Sequence, residues 1–156
     1  MKPKHASTIL VALASAAALA GLSTAASAPG HASLLIRHEV RGCHTWSVNG
    51  GAFAATQSIV LRQGGWITIT NDDVMPHTLV KTSGPAVQIQ NLKTPMGMGH
   101  HGKVGPGTMA HMGAKVKVIF SKAGVYRFAT KPGEDYMEGM KTVGEDYVLR
   151  LIVKVT

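Results

Sequence analysis

Short stretches of alternating polar and apolar residues follow one another through most of the chain after residue 33. In Trp66-Ile67-Thr68-Ile69-Thr70, isoleucine alternates with threonine, the spacing of a strand with one buried face. Glycine pairs such as Gly50-Gly51 and Gly64-Gly65 separate the stretches and indicate turns. The predicted strands are Leu34–Val40, Trp46–Val48, Ser58–Arg62, Trp66–Thr70, His77–Lys81, Lys115–Phe120, Tyr126–Phe128 and Tyr147–Val155.

Strands that are this short and this evenly spaced predict an all-β fold, an antiparallel sandwich in a single domain. Trp46 and Trp66 are expected in its core. No stretch has the period of a long amphipathic helix, and no internal repeat is present.

One stretch, residues 94–113, departs from this pattern because it is rich in glycine and has no strand period. It predicts a loop longer than most connections inside a compact domain, and such loops are usually functional or disordered. The stretch concentrates methionine and histidine: Met96, Met98, His100, His101, Met109, His111 and Met112.

Residues 1–28 have the composition of a signal peptide. Lys2 and Lys4 precede an apolar core from Ile9 to Leu22, which is too short to span a bilayer, and Ala26-Ser27-Ala28 gives a small-residue cleavage pattern. We therefore expect export to the periplasm, the cell surface or the medium. The folded domain is expected over residues 29–156, with no membrane span after the signal is removed.

The chain is basic, with a formal net charge of +8 that falls by two when Lys2 and Lys4 are removed. Its lysines and arginines are scattered and only 5% of residues are aromatic, so no nucleic-acid-binding stripe is indicated. Solubilising surface charge is the simplest interpretation. We expect a monomer.

A single histidine follows a polar turn between two predicted strands. The sequence passes from Asn71 through Asp72 and Asp73 to Pro76 and His77, and an apolar strand follows. This arrangement holds one imidazole at a sheet rim, as a metal site requires. A ligating imidazole binds through one nitrogen while the other is hydrogen-bonded, and Asn71 or a backbone carbonyl is expected to hold it.

This turn and the late segment Gly124-Val125-Tyr126-Arg127-Phe128 together resemble the cupredoxin family. In that family an N-x-D-x-x-x-H type of turn supplies the first copper histidine. A G-x-Y-x-F-x-C strand then supplies a thiolate, followed by a second histidine and an axial methionine. The resemblance implies a cupredoxin-like Greek-key β-sandwich, copper as the cofactor, and a first strand parallel to the one that leads to His77.

The resemblance assigns ligands only in part. His77 matches the first histidine, Met137 matches the axial methionine, and Glu134 falls near the place of the second histidine. Thr130 stands where the cysteine belongs, so a conventional blue copper centre formed by that loop is not expected. A carboxylate beside a histidine favours Cu(II), Zn(II) or Fe over Cu(I), whereas a solvated acidic turn is the alternative for Glu134.

The only cysteine, Cys43, cannot form an internal disulfide. An exposed thiol outside the cytoplasm is oxidised, so Cys43 is either a metal ligand or a buried bystander. The resemblance puts the end of the first strand at the rim of His77, and Cys43 or His44 is then in reach of the site. Neighbouring strand residues point to opposite faces, so only one of the two faces inwards. His44 has the parity of the core residues, and a bulge at Gly42 would present Cys43 instead.

The Met/His loop has a chemistry of its own. Thioethers are soft ligands that select Cu(I), imidazole accepts Cu(I) or Cu(II), and glycine lets neighbouring ligands converge. Loops of this kind resemble those of copper-trafficking proteins. The alternatives are a methionine-lined loop that packs over the end of the sandwich, or one whose residues Met109, His111 and Met112 join the His77 site.

These features lead us to expect a copper-binding protein for electron transfer or metal handling rather than an enzyme. Its mononuclear ligands are expected to be His77, Cys43, Glu134 and Met137, with His44 as a substitute, and its partner a redox or copper-trafficking protein. Two alternatives stay open: a periplasmic or cell-surface Cu(I) carrier that uses the Met/His loop, and a metal-free binding module. The absence of a G-x-S-x-G motif gives acyl transfer little support.

Overall fold

Two five-stranded sheets pack face to face and form one β-sandwich. The structure is a computed structural model, and it describes residues 27–39, 42–92, 105–131 and 148–156. No helix occurs in these ranges, and so the described residues contain no helix that could cross a membrane. The strands are His31–Glu39 (β1), Gly42–Val48 (β2), Thr56–Leu61 (β3), Trp66–Asn71 (β4), His77–Ser83 (β5), Gln88–Leu92 (β6), Thr108–Met109 (β7), Lys115–Ile119 (β8), Gly124–Thr130 (β9) and Arg150–Val155 (β10).

The strand order is β2-β1-β4-β8-β6 in sheet A and β3-β10-β9-β5-β7 in sheet B. The predicted all-β sandwich in a single domain is confirmed, and β1 runs parallel to β4 as the resemblance implied. The pairing is not antiparallel throughout, because β3 also runs parallel to β10 and both sheets are therefore mixed. The reason is connectivity: the chain crosses to sheet B at β3 and returns beside β1, which leaves β1 and β4 pointing the same way.

The core lies between the sheets and follows the period-two pattern of the sequence. In β4 the isoleucines at 67 and 69 are buried, and in β10 Leu151, Val153 and Val155 are buried. Trp46 lies in the core as predicted. Trp66 does not, because it shares the outer face with the threonines of β4; there it stacks on His31 with ring centroids 5.4 Å apart.

Two strands were not predicted, and one of them lies inside the glycine-rich stretch. Thr108 and Met109 form β7, which pairs antiparallel with the start of β5. Gly107 precedes it with a φ of 86°, and a Cβ there would stand 2.9 Å from the Leu79 carbonyl oxygen. Gly107 is therefore needed for the close approach of two backbone segments, and not to make the loop flexible. Residues 94–104 of the predicted loop lie outside the described residues.

Candidate metal centre

The turn that joins β4 to β5 carries the chain from sheet A to sheet B at one end of the sandwich. His77 begins β5 directly after this turn, and its residue is only 1% exposed. The backbone N–H of Asp72 donates to the Ile36 carbonyl at 2.8 Å, which ties the turn to the far part of β1. The imidazole expected at a sheet rim is therefore at the rim, but it is turned inwards.

Two successive side-chain turns explain this geometry. The Asn71 Oδ1 accepts from the Asp73 N–H at 2.9 Å, and the Asp73 Oδ1 accepts from the Met75 N–H at 3.1 Å. Asparagine and aspartate favour such turns because their short side chains reach the backbone two residues on. Both side chains point into the protein as a result, whereas Val74, 71% exposed, points out.

The Asp73 carboxylate is fully buried beside two histidines. Its Oδ2 lies 3.7 Å from the His77 Nε2 and 4.0 Å from the His38 Nδ1. The side chain of His38, at the far end of β1, is 61% exposed. Burial of a carboxylate costs free energy unless nearby charge or hydrogen bonds compensate it. The fold therefore has to stabilise Asp73 in its position beside His77.

Asn71 has a different role from the one expected. Its Nδ2 donates to the Met75 carbonyl at 2.7 Å and to the Met109 carbonyl at 3.2 Å, with the His111 carbonyl more distant at 3.5 Å. It therefore holds the backbone of two turns together. The sequence did not indicate that the Asp73 carboxylate approaches the imidazole, with its Oδ2 3.7 Å from the His77 Nε2.

The three described members of the Met/His set separate in the structure. Met109 is fully buried in the core and is the cross-strand partner of His77. Met112 is 53% exposed, and the His111 Nδ1 donates to the Met112 carbonyl at 2.8 Å. The fold thus brings Met109 alongside His77 and leaves Met112 at the surface. The other members, Met96, Met98, His100 and His101, lie outside the described residues.

The hairpin of β1 and β2 has a bulge at the cysteine. His38 pairs with His44 and Glu39 with Gly42, so Cys43 is the extra residue on its strand. The bulge considered at Gly42 is thus present one residue later. Only the backbone is described here; the side chains of Cys43 and His44 lie outside the described residues.

Thr130, which stands where the resemblance would place a cysteine, is a buried residue whose side chain is hydrogen-bonded. It is 5% exposed, and its hydroxyl accepts from the Leu149 N–H at 3.1 Å. It pairs with Leu79, two residues from His77 on the same face of β5. The pairing of β9 with β5 therefore places residue 130 near His77, but its hydroxyl is already hydrogen-bonded to the Leu149 N–H. Glu134 and Met137 lie outside the described residues.

Within the described ranges, no three His, Cys, Asp or Glu side chains are arranged to hold a metal ion. His77 and Asp73 supply one nitrogen and one oxygen, a donor chemistry that suits copper or zinc. The described donors thus fit a metal in kind but do not complete its coordination. A metal at this place would need further ligands from the bulge or from residues beyond the described part.

No family model matches the sequence, and no curated protein matches it. Among solved structures, a purple cupredoxin from Nitrosopumilus maritimus is 19% identical over 80% of this chain and 99% of its own, with a TM-score of 0.39. A multi-copper oxidase from Pseudomonas thermotolerans is 14% identical over 83% of this chain and 30% of its own, with a TM-score of 0.42. Amebosin is 14% identical over 64% of this chain and 89% of its own, with a TM-score of 0.36. At such identities, function has to be argued from this chain's own residues.

Proposed function

We propose that this chain is an exported copper-binding protein, a divergent relative of the cupredoxins, which transfers electrons or handles copper rather than catalysing a reaction. The observation that carries the proposal is the buried His77 at the rim, with a bulge at the only cysteine on the hairpin next to it. Copper, when bound, would supply a one-electron couple.

The proposed ligands are His77, Cys43, Glu134 and Met137, with His44 in place of Cys43 as the substitute. Support for the hairpin comes from the backbone: β1 runs beside β4, and the Ile36 carbonyl binds the turn that precedes His77. A bulge changes which of two neighbouring side chains points inwards, so both Cys43 and His44 are kept as candidate ligands at this point. Glu134 and Met137 follow β9, the neighbour of β5.

The first test is to add one equivalent of Cu(II) to the reduced protein and to record visible absorption and electron paramagnetic resonance. We expect a strong thiolate-to-copper band that both Cys43→Ser and His77→Gln abolish. His31→Gln is the matched control, because His31 lies on the outer face of sheet A against Trp66. Loss of the band in the control as well would reduce the signal to adventitious histidine binding and refute the proposal.

A Cu(I) carrier is the second candidate, and the exposure of Met112 beside His111 favours it. Because Met109 is in the core, the test is substitution of the other members, Met96→Leu, Met98→Leu and Met112→Leu together, rather than deletion. Under this candidate the triple variant loses Cu(I) affinity while Cys43→Ser does not. A metal-free binding module would hold neither ion above the level of a surface histidine.

A further inference from the structure

We propose that the outer face of sheet B is a docking surface for an acidic surface of a partner protein. The inference goes beyond the proposed function and does not depend on copper. The residues that carry it point outwards from β3, β5, β9 and β10, and they are Val60, Val80, Val125, Arg127, Arg150 and Lys154. The sequence shows these cations only as scattered positions, whereas the sheet brings them together.

The period of two in β9 and β10 gathers three positive side chains around one isoleucine. In β10 the residues at 151, 153 and 155 are buried, so Arg150, Ile152 and Lys154 point away from the core. Arg127 is outward-facing on β9 and is the cross-strand partner of Ile152. By the spacing of strands, the Cα atoms of the three cations lie within about 7 Å of the Ile152 Cα.

Exposed valines lie beside these charges. Val60 and Val125 are the neighbours of Lys154 on β3 and β9, and Val80 on β5 is paired with Ala129 of β9. The three valines are 47%, 42% and 40% exposed, and they are three of the six large hydrophobic residues that are exposed among the described residues. Single exposed valines are ordinary, but a group of them on one face, rimmed by polar residues, is typical of an interaction surface.

The fold itself supplies no counter-charge to this face. The strands of sheet B, as the structure describes them, contain no aspartate or glutamate, and the three cations around Ile152 form no ion pair within the described ranges. The cations of sheet A differ, because Arg37 pairs with Asp72 at 3.5 Å and the Lys117 Nζ lies 4.7 Å from the Trp66 ring centroid. An acidic partner would neutralise the charges that sheet B leaves without a partner.

The chemistry of the face favours an acidic protein over a bilayer or a second copy of the chain. Proteins that lie on bilayers insert tryptophan, phenylalanine or leucine, and the described side chains of this face include only valine and isoleucine as large apolar groups. In a symmetric dimer the same patch faces itself, so like charges would be brought together. Arginine binds carboxylates through two parallel hydrogen bonds and is enriched at protein interfaces.

The first arm of the test titrates the nitrogen-15-labelled protein with an oligoglutamate peptide and follows its backbone amides by NMR. We expect the shift changes to concentrate in β9 and β10, and an oligoserine peptide to produce none. Arg127→Gln with Lys154→Gln is expected to weaken binding by about tenfold. Arg150→Gln, an independent variant of the same face, is expected to weaken it by about threefold.

Lys115→Gln with Lys117→Gln is the matched control, because it removes the same charge from β8 in sheet A. We expect its affinity for the peptide to stay within about twofold of wild type. Equal weakening by the two double variants, or shift changes spread over both sheets, would mean that the peptide senses only the net charge, which overturns the inference.

The second arm tests the valines. An oligoglutamate peptide with leucines inserted is expected to bind more tightly than the plain peptide, and Val125→Ser is expected to remove this gain. The same affinity for both peptides would refute a surface that combines charge with apolar contact.

The third arm tests the other occupants. Sedimentation with phosphatidylglycerol-containing vesicles that depends on Arg127 and Lys154, without a mapped peptide site, would identify a lipid surface. Sedimentation equilibrium that shows a dimer through this face would identify a second copy. Shift changes in β9 and β10 on Glu145→Gln with Asp146→Asn would identify the chain's own acidic residues. Each of these three results overturns the docking of an acidic partner protein.

Discussion

Asn71 shows how much of the rim depends on one amide. From the buried end of β4, its Nδ2 reaches the carbonyls of Met75 and Met109, and its Oδ1 caps the N–H of Asp73. The first and last of these contacts shape the turn before His77, and the second joins that turn to β7. The residue that the sequence suggested as a partner for the imidazole instead builds the frame in which the imidazole sits.

We predict that Asn71→Ala destabilises the protein by about 3 kcal/mol, because two buried carbonyls and one buried N–H lose their partner. The control is Asn91→Ala. Asn91 bridges the Gly105 carbonyl and the Gly107 N–H in the same manner but is exposed, so water replaces the lost contacts at a cost of less than about 1 kcal/mol. Urea unfolding measures both, and equal losses would contradict the central role given to Asn71.

At the level of elements, strands with a clear period of two were predictable and those without one were not. β4, β8 and β10 alternate in sequence as they do in burial, and their predicted and observed ranges agree within a few residues. β6 escaped because Gln-Ile-Gln-Asn-Leu has no strong apolar face, and β7 because two residues are too few to show a period. Both strands exist through pairing with a neighbour that only the fold supplies.

The residues of the site also differ in whether a local sequence pattern predicts their position. The position of His77 followed from the local order of strand, turn and strand, so the sequence could predict it. The approach of Asp73 depends on two Asx turns and on the packing of the turn against β1 and β7, and nothing in the local sequence distinguishes Asp73 from Asp72. Opposite destinations for two adjacent aspartates, one buried and one paired with Arg37, arise only in three dimensions.

The register of β9 against β5 leads to an element-level prediction. In a Cys43→Ser background, Thr130→Cys is expected to create a strong thiolate-to-copper band with Cu(II), since residue 130 shares the inner face with His77 at a diagonal cross-strand distance. Stability is expected to fall by about 1 kcal/mol through the loss of the Leu149 contact.

Thr78→Cys is the matched control for this variant. Thr78 is adjacent to His77 in sequence but alternates to the other face of β5, where it meets the Thr108 hydroxyl at 3.2 Å. A band in the control, or none in a folded Thr130→Cys protein, would show that the inner face at residue 130 does not reach the imidazole.

The whole molecule places its first and last described strands inside its sheets rather than at their edges. β1 lies between β2 and β4, and β10 lies between β3 and β9. β2, β3, β6 and β7 form the edges. A strand with a partner on each side loses both ladders only when its sheet comes apart, so cooperativity should be highest around β1 and β10.

Amide hydrogen exchange measured by NMR tests this order. We predict the slowest exchange in β1, β4, β9 and β10, approaching the rate of global unfolding, and faster exchange in β3, β6 and β7 through local opening. The amide of Trp66, whose side chain lies on the outer face, can serve as the reference for exchange rates within β4. Exchange in β10 as fast as in β3 would contradict the strand order of sheet B.

The central place of β10 also bears on the order in which the protein is made. Until the ribosome has added residues 150–155, sheet B has a gap between β3 and β9, and the hydrophobic side chains that β10 would cover stay open. Strands as far apart in sequence as β3 and β10 pair slowly, because the entropy cost of closing the long loop between them comes before their contacts form. A chain without β10 is therefore expected to stay unfolded and to expose apolar surface of the kind that chaperones bind.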